Sequence, residues 1–347
     1  MEITHAHTSS HPPRIRKRSC RLYPESGAET VEYIIVVLVA IVIGAGLLAF
    51  GNQVSGQVTK TGNSISSWFS KANGSGGTEG GNAGGGNSGT DSRIDELKEK
   101  DPADWTLEDQ KAVAEDIGKK GNSSELYSKA KDAMDAGTEW SITLTDGNTL
   151  TYRIIGINHD DLADGSGKAG LTFFTTSFGI KSRMNATKTY VGGWERSELR
   201  AKMNSGEIWN LMPSDFQSKV NPVRKLTNNV GGGSANKDAA VTATTDRLFL
   251  LSYSEIVEAP PTIFWCNCSW IGKEGSQYEA FKGKVTENFS NNDALAFGHG
   301  WRERTAWPSQ VDEDHDSTEF LRVAGYGAPS DVAETTYAEC VCPAWCF

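Results

Sequence analysis

The sequence lacks the short motifs that mark the common classes of enzyme. It contains no Gly-x4-Gly-Lys-Ser/Thr phosphate loop, no His-Glu-x-x-His zinc helix and no Gly-x-Ser-x-Gly nucleophile turn. These absences argue against a P-loop nucleotidase, a zinc protease and an α/β-hydrolase. We therefore expect a protein that is not an enzyme, with no catalytic residue, no bound metal and no cofactor.

Basic residues are also scarce. Lysine and arginine together number 34 against 44 acidic residues, which gives a formal charge of −10. Residues 1–27 hold five of the basic residues and two of the acidic ones, so the remainder of the chain carries −13. Such a surface repels phosphate backbones, and we therefore expect no nucleic-acid partner.

Cysteine is scarce until the end of the chain. One of the six cysteines is Cys20, and the other five come late: Cys266, Cys268, Cys340, Cys342 and Cys346. Three interpretations stay open for these five, namely disulfides in an oxidising compartment, buried free thiols, or a metal site. Disulfides would leave at least one thiol unpaired, and the Cys-x-Cys spacing differs from the usual Cys-x2-Cys zinc knuckle.

What the sequence does contain is a membrane signal near its N-terminus. Basic residues precede Gly27, and an apolar run follows over residues 34–50. This run is at the short end of the range for a bilayer span, and the basic side is expected to stay in the cytoplasm. An apolar stripe continues at steps of three and four, through Val54, Val58, Thr61, Ile65 and Trp68. We expect one helix over residues 28–70, transmembrane at first and amphipathic afterwards.

The segment Gly27-Ala-Glu-Thr-Val-Glu-Tyr33 resembles the cleavage region of Flp-type (type IVb) prepilins. The resemblance implies that a prepilin peptidase cuts between Gly27 and Ala28, and that Glu32 and Tyr33 form the Glu-Tyr pair used in assembly. A carboxylate at the rim of a membrane helix is costly unless a cation neutralises it, and the Ala28 amine of a neighbouring subunit would supply that charge. The implied partners are the membrane, the peptidase, and pilus subunits or assembly machinery. The alternative is an ordinary single-pass anchor with a chance glutamate.

The chain divides into four segments on these patterns. They are a basic cytoplasmic leader (1–27), the pilin-like helix (28–70), a Gly-rich linker (71–91) and an extracellular α+β domain of unknown function (92–347). Flp-type pilins are usually little more than the helix. The large appended domain therefore favours a minor or tip subunit, or a pseudopilin that stays in the membrane.

Helix and strand signals alternate within the domain. Thr106-Leu-Glu-Asp109 predicts a capped helix start, and Gly137 predicts the end of a second helix. Period-two alternation on both sides of Asp146-Gly147 predicts a β-hairpin. The apolar run at residues 247–252 predicts a buried strand.

Four stretches of the domain resemble an uncharacterised domain of Gram-positive bacterial surface proteins: Ile155-Gly-Ile-Asn-His-Asp-Asp-Leu162, Gly192-Gly-Trp-Glu-Arg-Ser-Glu-Leu199, Thr244-Thr-Asp-Arg-Leu-Phe-Leu-Leu-Ser252 and Val341-Cys-Pro-Ala-Trp-Cys-Phe347. The resemblance covers most of residues 100–347 and implies no activity. The Trp-rich loops are also similar to C-type-lectin-like folds, including relatives of the formylglycine-generating enzyme, as a fold analogy. The number of tryptophans, whose rings can stack on sugars, makes surface glycans or proteins the expected ligands, although core packing is the default role of each tryptophan.

The loop at residues 158–168 holds the strongest cation candidates. Asp160, Asp161 and Asp164 offer oxygen atoms of the kind that calcium prefers, although their spacing does not match an EF-hand. The competing interpretation is a turn in which aspartates cap backbone amides. His159 has no nucleophile to serve, so we expect it to be a hydrogen-bonded structural residue.

These patterns lead to one expected function and one alternative. We expect a Flp-like pilin or pseudopilin that is anchored in the cell membrane or assembled into a surface pilus, and that displays its C-terminal domain outside for adhesion or binding. The alternative is a membrane-tethered, lectin-like binding module that does not polymerise. A surface enzyme has the least support.

Overall fold

The described part of the chain is its C-terminal portion. The computed structural model describes residues 88–230, 239–258, 270, 272–285, 291–307 and 318–347, with side chains from residue 92 onward. Residues 85–347 form one compact unit. The predictions that lie outside the described residues concern Gly27, Ala28, Glu32, Tyr33, Cys266 and Cys268. Within the described ranges, no helix is both long and apolar enough to cross a membrane.

Most of the helices lie before the first strand or between the fourth strand and the fifth. Their bounds are α1 Ser88–Glu99, α2 Leu107–Lys120, α3 Tyr127–Ala136, α4 Glu198–Asn204, α5 Glu207–Leu211, α6 Ser214–Gln217 and α7 Tyr253–Ile256. The capping box before α2 is confirmed, because the Asp109 amide donates to Thr106 Oγ1 while the Asp109 carboxylate accepts from the Thr106 amide. The predicted end of α3 is confirmed at Gly137, which has φ 67°. Helix α1 begins inside the segment predicted as linker.

The strands form three sheets. Their bounds are β1 Glu139–Thr143, β2 Thr149–Ile157, β3 Leu171–Thr175, β4 Lys181–Ser182, β5 Val223–Asn228, β6 Val241–Asp246, β7 Trp301–Trp307, β8 Glu319–Val323, β9 Asp331–Glu334, β10 Glu339–Cys340 and β11 Ala344–Cys346. The sheet orders are β1-β2-β3-β11, β4-β10-β7-β8-β9 and β5-β6. The predicted hairpin is confirmed as the antiparallel pair β1–β2, with Gly147 at φ 88° in its turn. The mixed helix and sheet content of this region is therefore as predicted.

The segment at residues 247–252 is buried as predicted, but the prediction that it forms a strand is wrong. The segment is buried from Leu248 onward, yet its backbone pairs with two different strands at single points. Phe249 exchanges backbone hydrogen bonds with Ala344, and Leu251 accepts one from Arg304. Because its hydrogen bonds are divided in this way, no continuous ladder forms.

The core is built around the C-terminal strand. The Trp345 ring lies 4.9 Å from that of Tyr152 and 5.0 Å from that of Phe216, measured between ring centroids, in edge-on contacts. Four of the tryptophans are almost fully buried: Trp194, Trp270, Trp301 and Trp345. These indoles fill the interior, which leaves them no free face for a sugar.

Candidate functional site

The loop after β2 faces two environments. Its first residue, Asn158, has φ 51°, a left-handed conformation that asparagine tolerates better than most residues. Asp160 is then turned into the interior with 4% exposure, whereas Asp161 and Asp164 are exposed. The loop therefore separates an inner cluster of charges from an outer groove.

Asp160 lies in a fully paired interior site. Lys225 Nζ is 2.5 Å from Asp160 Oδ1, and the hydroxyls of Thr172 and Tyr278 donate to Oδ2 at 2.7 and 2.9 Å. Burial alone would raise the pKa of this carboxyl, but the Lys225 ammonium outweighs it and holds the pKa well below its ordinary value. The cation that satisfies Asp160 is an ammonium group of the protein itself.

The cluster continues from Lys225 toward β7. Glu255 Oε1 is 2.5 Å from Lys225 Nζ, and both Glu255 oxygens accept from the guanidinium of Arg304. Arg304 also donates to three backbone carbonyls, those of Leu226, Leu250 and Glu274. Two basic and two acidic side chains thus pair with one another away from solvent. They form a buried ionic network of Asp160, Lys225, Glu255 and Arg304. This network ties β5, α7 and β7 together.

Asp161 and Asp164 have partners of their own. Lys168 Nζ is 2.8 Å from Asp161, and Asp164 Oδ1 accepts from the amide and hydroxyl of Ser166 at 2.9 and 2.7 Å. The structure does not bring the three aspartates to a common point. Among the described residues, no group of three His, Cys, Asp or Glu side chains is placed to hold a metal ion.

His159 is partly buried, and the C-terminal cysteines are buried within the fold. His159 Nδ1 lies 3.3 Å from Glu279 Oε2, and its ring is 4.0 Å from that of Tyr278. Three cysteines are free and buried: Cys340, Cys342 and Cys346. Burial raises the pKa of each of these thiols, so they stay protonated and unreactive at neutral pH. Of the three interpretations, the structure describes these three residues as buried free thiols.

The outer face of the loop forms a groove with α2. Two overlapping cavities of about 600 and 290 Å³ share the lining residues Glu115, Lys119, Leu162, Ser166 and Asn221. Helix α2 and the start of β3 approach each other closely beside the groove. A Cβ atom placed at Gly170 would lie only 1.9 Å from the Ala114 carbonyl oxygen. A glycine is therefore required at residue 170 to seat α2 against the start of β3.

The groove brings three lysines together on an otherwise acidic protein. Lys111, Lys119 and Lys168 line it, against the carboxylates of Glu115 and Asp164. Lys111 Nζ donates to the Asn221 side chain at 3.1 Å, and burial lowers the pKa of Lys111. Amide, hydroxyl and ammonium groups thus surround a concave space of the size that small ligands occupy.

Sequence reasoning identified the loop but missed the helix that completes the groove and the interior partners of Asp160. Lys111, Glu115 and Lys119 recur at steps of four, which is the spacing of one exposed helix face. Lys225 and Glu255 gave no comparable signal. Arg304 lies in a run of charged residues enclosed by Trp301 and Trp307, and such a run between large apolar residues is a usable sign of buried charge.

The comparisons with known proteins assign this region to a family without a described activity. Residues 169–346 match the family model of a domain of unknown function (DUF6273). The match includes Lys225, Glu255 and Arg304, whereas α2 and the loop at residues 158–168 precede it. No curated protein and no solved structure matches the chain.

Proposed function

The chain belongs to the DUF6273 family of domains of unknown function, and from that premise we propose that it is a surface protein whose C-terminal domain binds an acidic glycan. The groove between α2 and the loop at residues 158–168 is the binding site in this proposal. The observation that carries it is the cluster of three lysines around a concave, hydroxyl-lined and amide-lined space. An ammonium group and a carboxylate form charge-assisted hydrogen bonds, and sugar hydroxyls suit the remaining polar groups.

The proposal includes a pilin-like anchor. It is supported by the sequence alone, through the basic leader, Gly27, the Glu32-Tyr33 pair and the apolar run at residues 34–50. The N-terminal helix of a Flp-like pilin or pseudopilin would hold the chain in the membrane or in a surface pilus, with its C-terminal domain outside. A C-type-lectin-like fold for that domain belongs to the same proposal, as an analogy.

Processing of the N-terminus provides the test of the anchor. In cells with an active prepilin peptidase, mass spectrometry of the mature chain is expected to find Ala28 as the first residue. Glu32→Ala is expected to keep the chain in the membrane fraction while abolishing its recovery in sheared filaments, because the carboxylate no longer pairs with a neighbouring amine. Glu29→Ala is the matched control and should retain both. An intact leader on the mature chain would rule out the prepilin pathway.

Charge reversal in the groove provides the test of binding. On an array of neutral and carboxylate-bearing glycans, the purified full-length chain is expected to favour the acidic ones. Lys119→Glu should weaken that binding at least about tenfold, because charge-assisted hydrogen bonds contribute about 1.5–3 kcal/mol. Lys131→Glu makes the same charge change on α3, outside the groove, and should have little effect. Equal glycan binding by the Lys119 and Lys131 variants would show that the groove is not the binding site. If the chain captures proteins in preference to glycans, its ligand is a protein and not an acidic glycan.

A further inference from the structure

A second cavity lies where the segment before α2 meets the edge strand β1. It has a volume of about 420 Å³, and Trp105, Gln110, Glu139, Trp140 and Tyr152 are among its lining residues. None of these residues lines the groove, and all precede the segment that matches the family model. The cavity therefore lies in the part of the domain that precedes the family match.

Two indoles form one wall of the cavity. The rings of Trp105 and Trp140 are parallel within 1°, with their centroids 6.2 Å apart. Trp140 Nε1 donates to the carbonyl of Pro102 at 2.9 Å. Trp105 is only 3% exposed, and its Nε1 finds no acceptor among the described residues. A buried indole N–H is normally hydrogen-bonded, so this donor is available to a ligand that offers an acceptor.

The surrounding polar groups are held in fixed positions. Gln110 donates to the backbone carbonyl of Trp105 at 3.1 Å and accepts from the hydroxyl of Tyr152 at 3.1 Å. The first bond ties the segment before α2 to the helix, and the second links α2 to β2. A ligand would therefore meet a preorganised wall and would not have to order one.

The charge of the cavity selects against anions. Glu139 is the acid among the lining residues, none of which is a lysine, arginine or histidine. Burial raises the pKa of Tyr152 to about 12, so its hydroxyl stays neutral. A ligand must thus accept a hydrogen bond from Trp105 and donate one to an exposed carboxylate. A hydroxyl group does both.

We propose that this cavity is a binding site for a neutral sugar, with Trp105 Nε1 as donor and the Glu139 carboxylate as acceptor for its hydroxyl groups. Its volume lies within the range of small-molecule sites. The cavity is independent of the groove, which would take the acidic ligand. The domain then carries one subsite for an acidic glycan and one for a neutral sugar.

Calorimetric titration of the full-length chain with glucose, galactose and N-acetylglucosamine tests this site, in a detergent without a sugar headgroup. At least one sugar is expected to bind and to change the tryptophan fluorescence. Trp105→Phe keeps an aromatic ring but removes the donor, and should weaken binding about tenfold. Glu139→Gln, on the surface, should weaken it several-fold and carries the test if the Trp105 variant does not fold. Trp209→Phe, a partly exposed indole beside Arg247, is the control.

The outcomes separate this site from the groove. Lys119→Glu is expected to leave neutral-sugar binding unchanged, whatever it does to acidic glycans. Binding that survives both Trp105→Phe and Glu139→Gln would overturn the proposal. So would the absence of binding by all three sugars, in which case the indole donor is satisfied by water alone.

Discussion

Replacing Arg304 with methionine is expected to lower the free energy of unfolding by about 3–5 kcal/mol, the range measured when one partner of a buried ion pair is removed. The change leaves the Glu255 carboxylate with less compensating charge in a site that has no access to solvent. It also removes the donor from the carbonyls of Leu226, Leu250 and Glu274. A domain with an ordinary free energy of unfolding, about 5–15 kcal/mol, would lose a large part of it.

Urea denaturation of the full-length chain, followed by near-ultraviolet circular dichroism of the buried tryptophans, measures this loss. Arg322→Met is the matched control, because Arg322 is also an ion-paired arginine, with Asp331 and Glu339 as its partners, but is 29% exposed. That control is expected to cost less than about 1 kcal/mol. Arg304→Lys should fall between the two, since an ammonium group cannot reproduce the five-donor fork. Equal losses for Arg304→Met and Arg322→Met would contradict a stabilising role for the buried ionic network.

Local features of the fold were predictable where neighbouring residues decide the conformation. The capping box at Thr106 and Asp109 needs only four consecutive residues, and the hairpin needs a two-residue turn between alternating strands. The segment at residues 247–252 was not predictable in the same way. Its apolar run is as consistent with a strand as with any buried segment, and its pairing depends on Ala344 and Arg304, which lie far along the chain.

The interior of the site illustrates the same limit. The sequence offers Asp160 as one of three candidate oxygen ligands for a cation, with a capped turn as the alternative. Its partner Lys225 is 65 residues away and Tyr278 is 118 residues away, so no local spacing could identify them. The groove was half predictable, because its loop carries a visible cluster of aspartates. Helix α2 completes it through a close approach at Gly170, which only the tertiary structure reveals.

Glu303 is a buried acid that lies outside the buried ionic network. It follows Arg302 in β7 and precedes Arg304, where the register with β8 is interrupted by a bulge. Such a bulge changes the direction of the side chains around it. Glu303 has no measurable exposure, and neither carboxylate oxygen has a hydrogen-bond partner among the described residues. Burial, together with the charge of Glu274, raises its pKa well above the ordinary value.

A raised carboxyl pKa makes the stability of the domain depend on pH with a definite sign. The folded state binds a proton that the unfolded state releases above its ordinary pKa of about 4.3. Stability is therefore lost as pH rises from that value toward the raised pKa of the folded protein, at about 1.4 kcal/mol per pH unit. Glutamine has nearly the shape of the protonated side chain but releases no proton in either state.

Glu303→Gln is thus expected to stabilise the domain at pH 7, by at most about 4 kcal/mol, and to have little effect at pH 4. Urea denaturation of the parent chain and the variant at both pH values measures the difference in their free energies of unfolding. The titration of all other groups is common to the two chains and cancels in this difference. Glu99→Gln, at an exposed position, is the control and should behave like the parent at both pH values. If Glu303→Gln shifts stability equally at pH 4 and pH 7, the carboxyl is not held protonated by the fold. In that case a counter-charge must reach Glu303, and β7 would carry no unneutralised acid beside the buried ionic network.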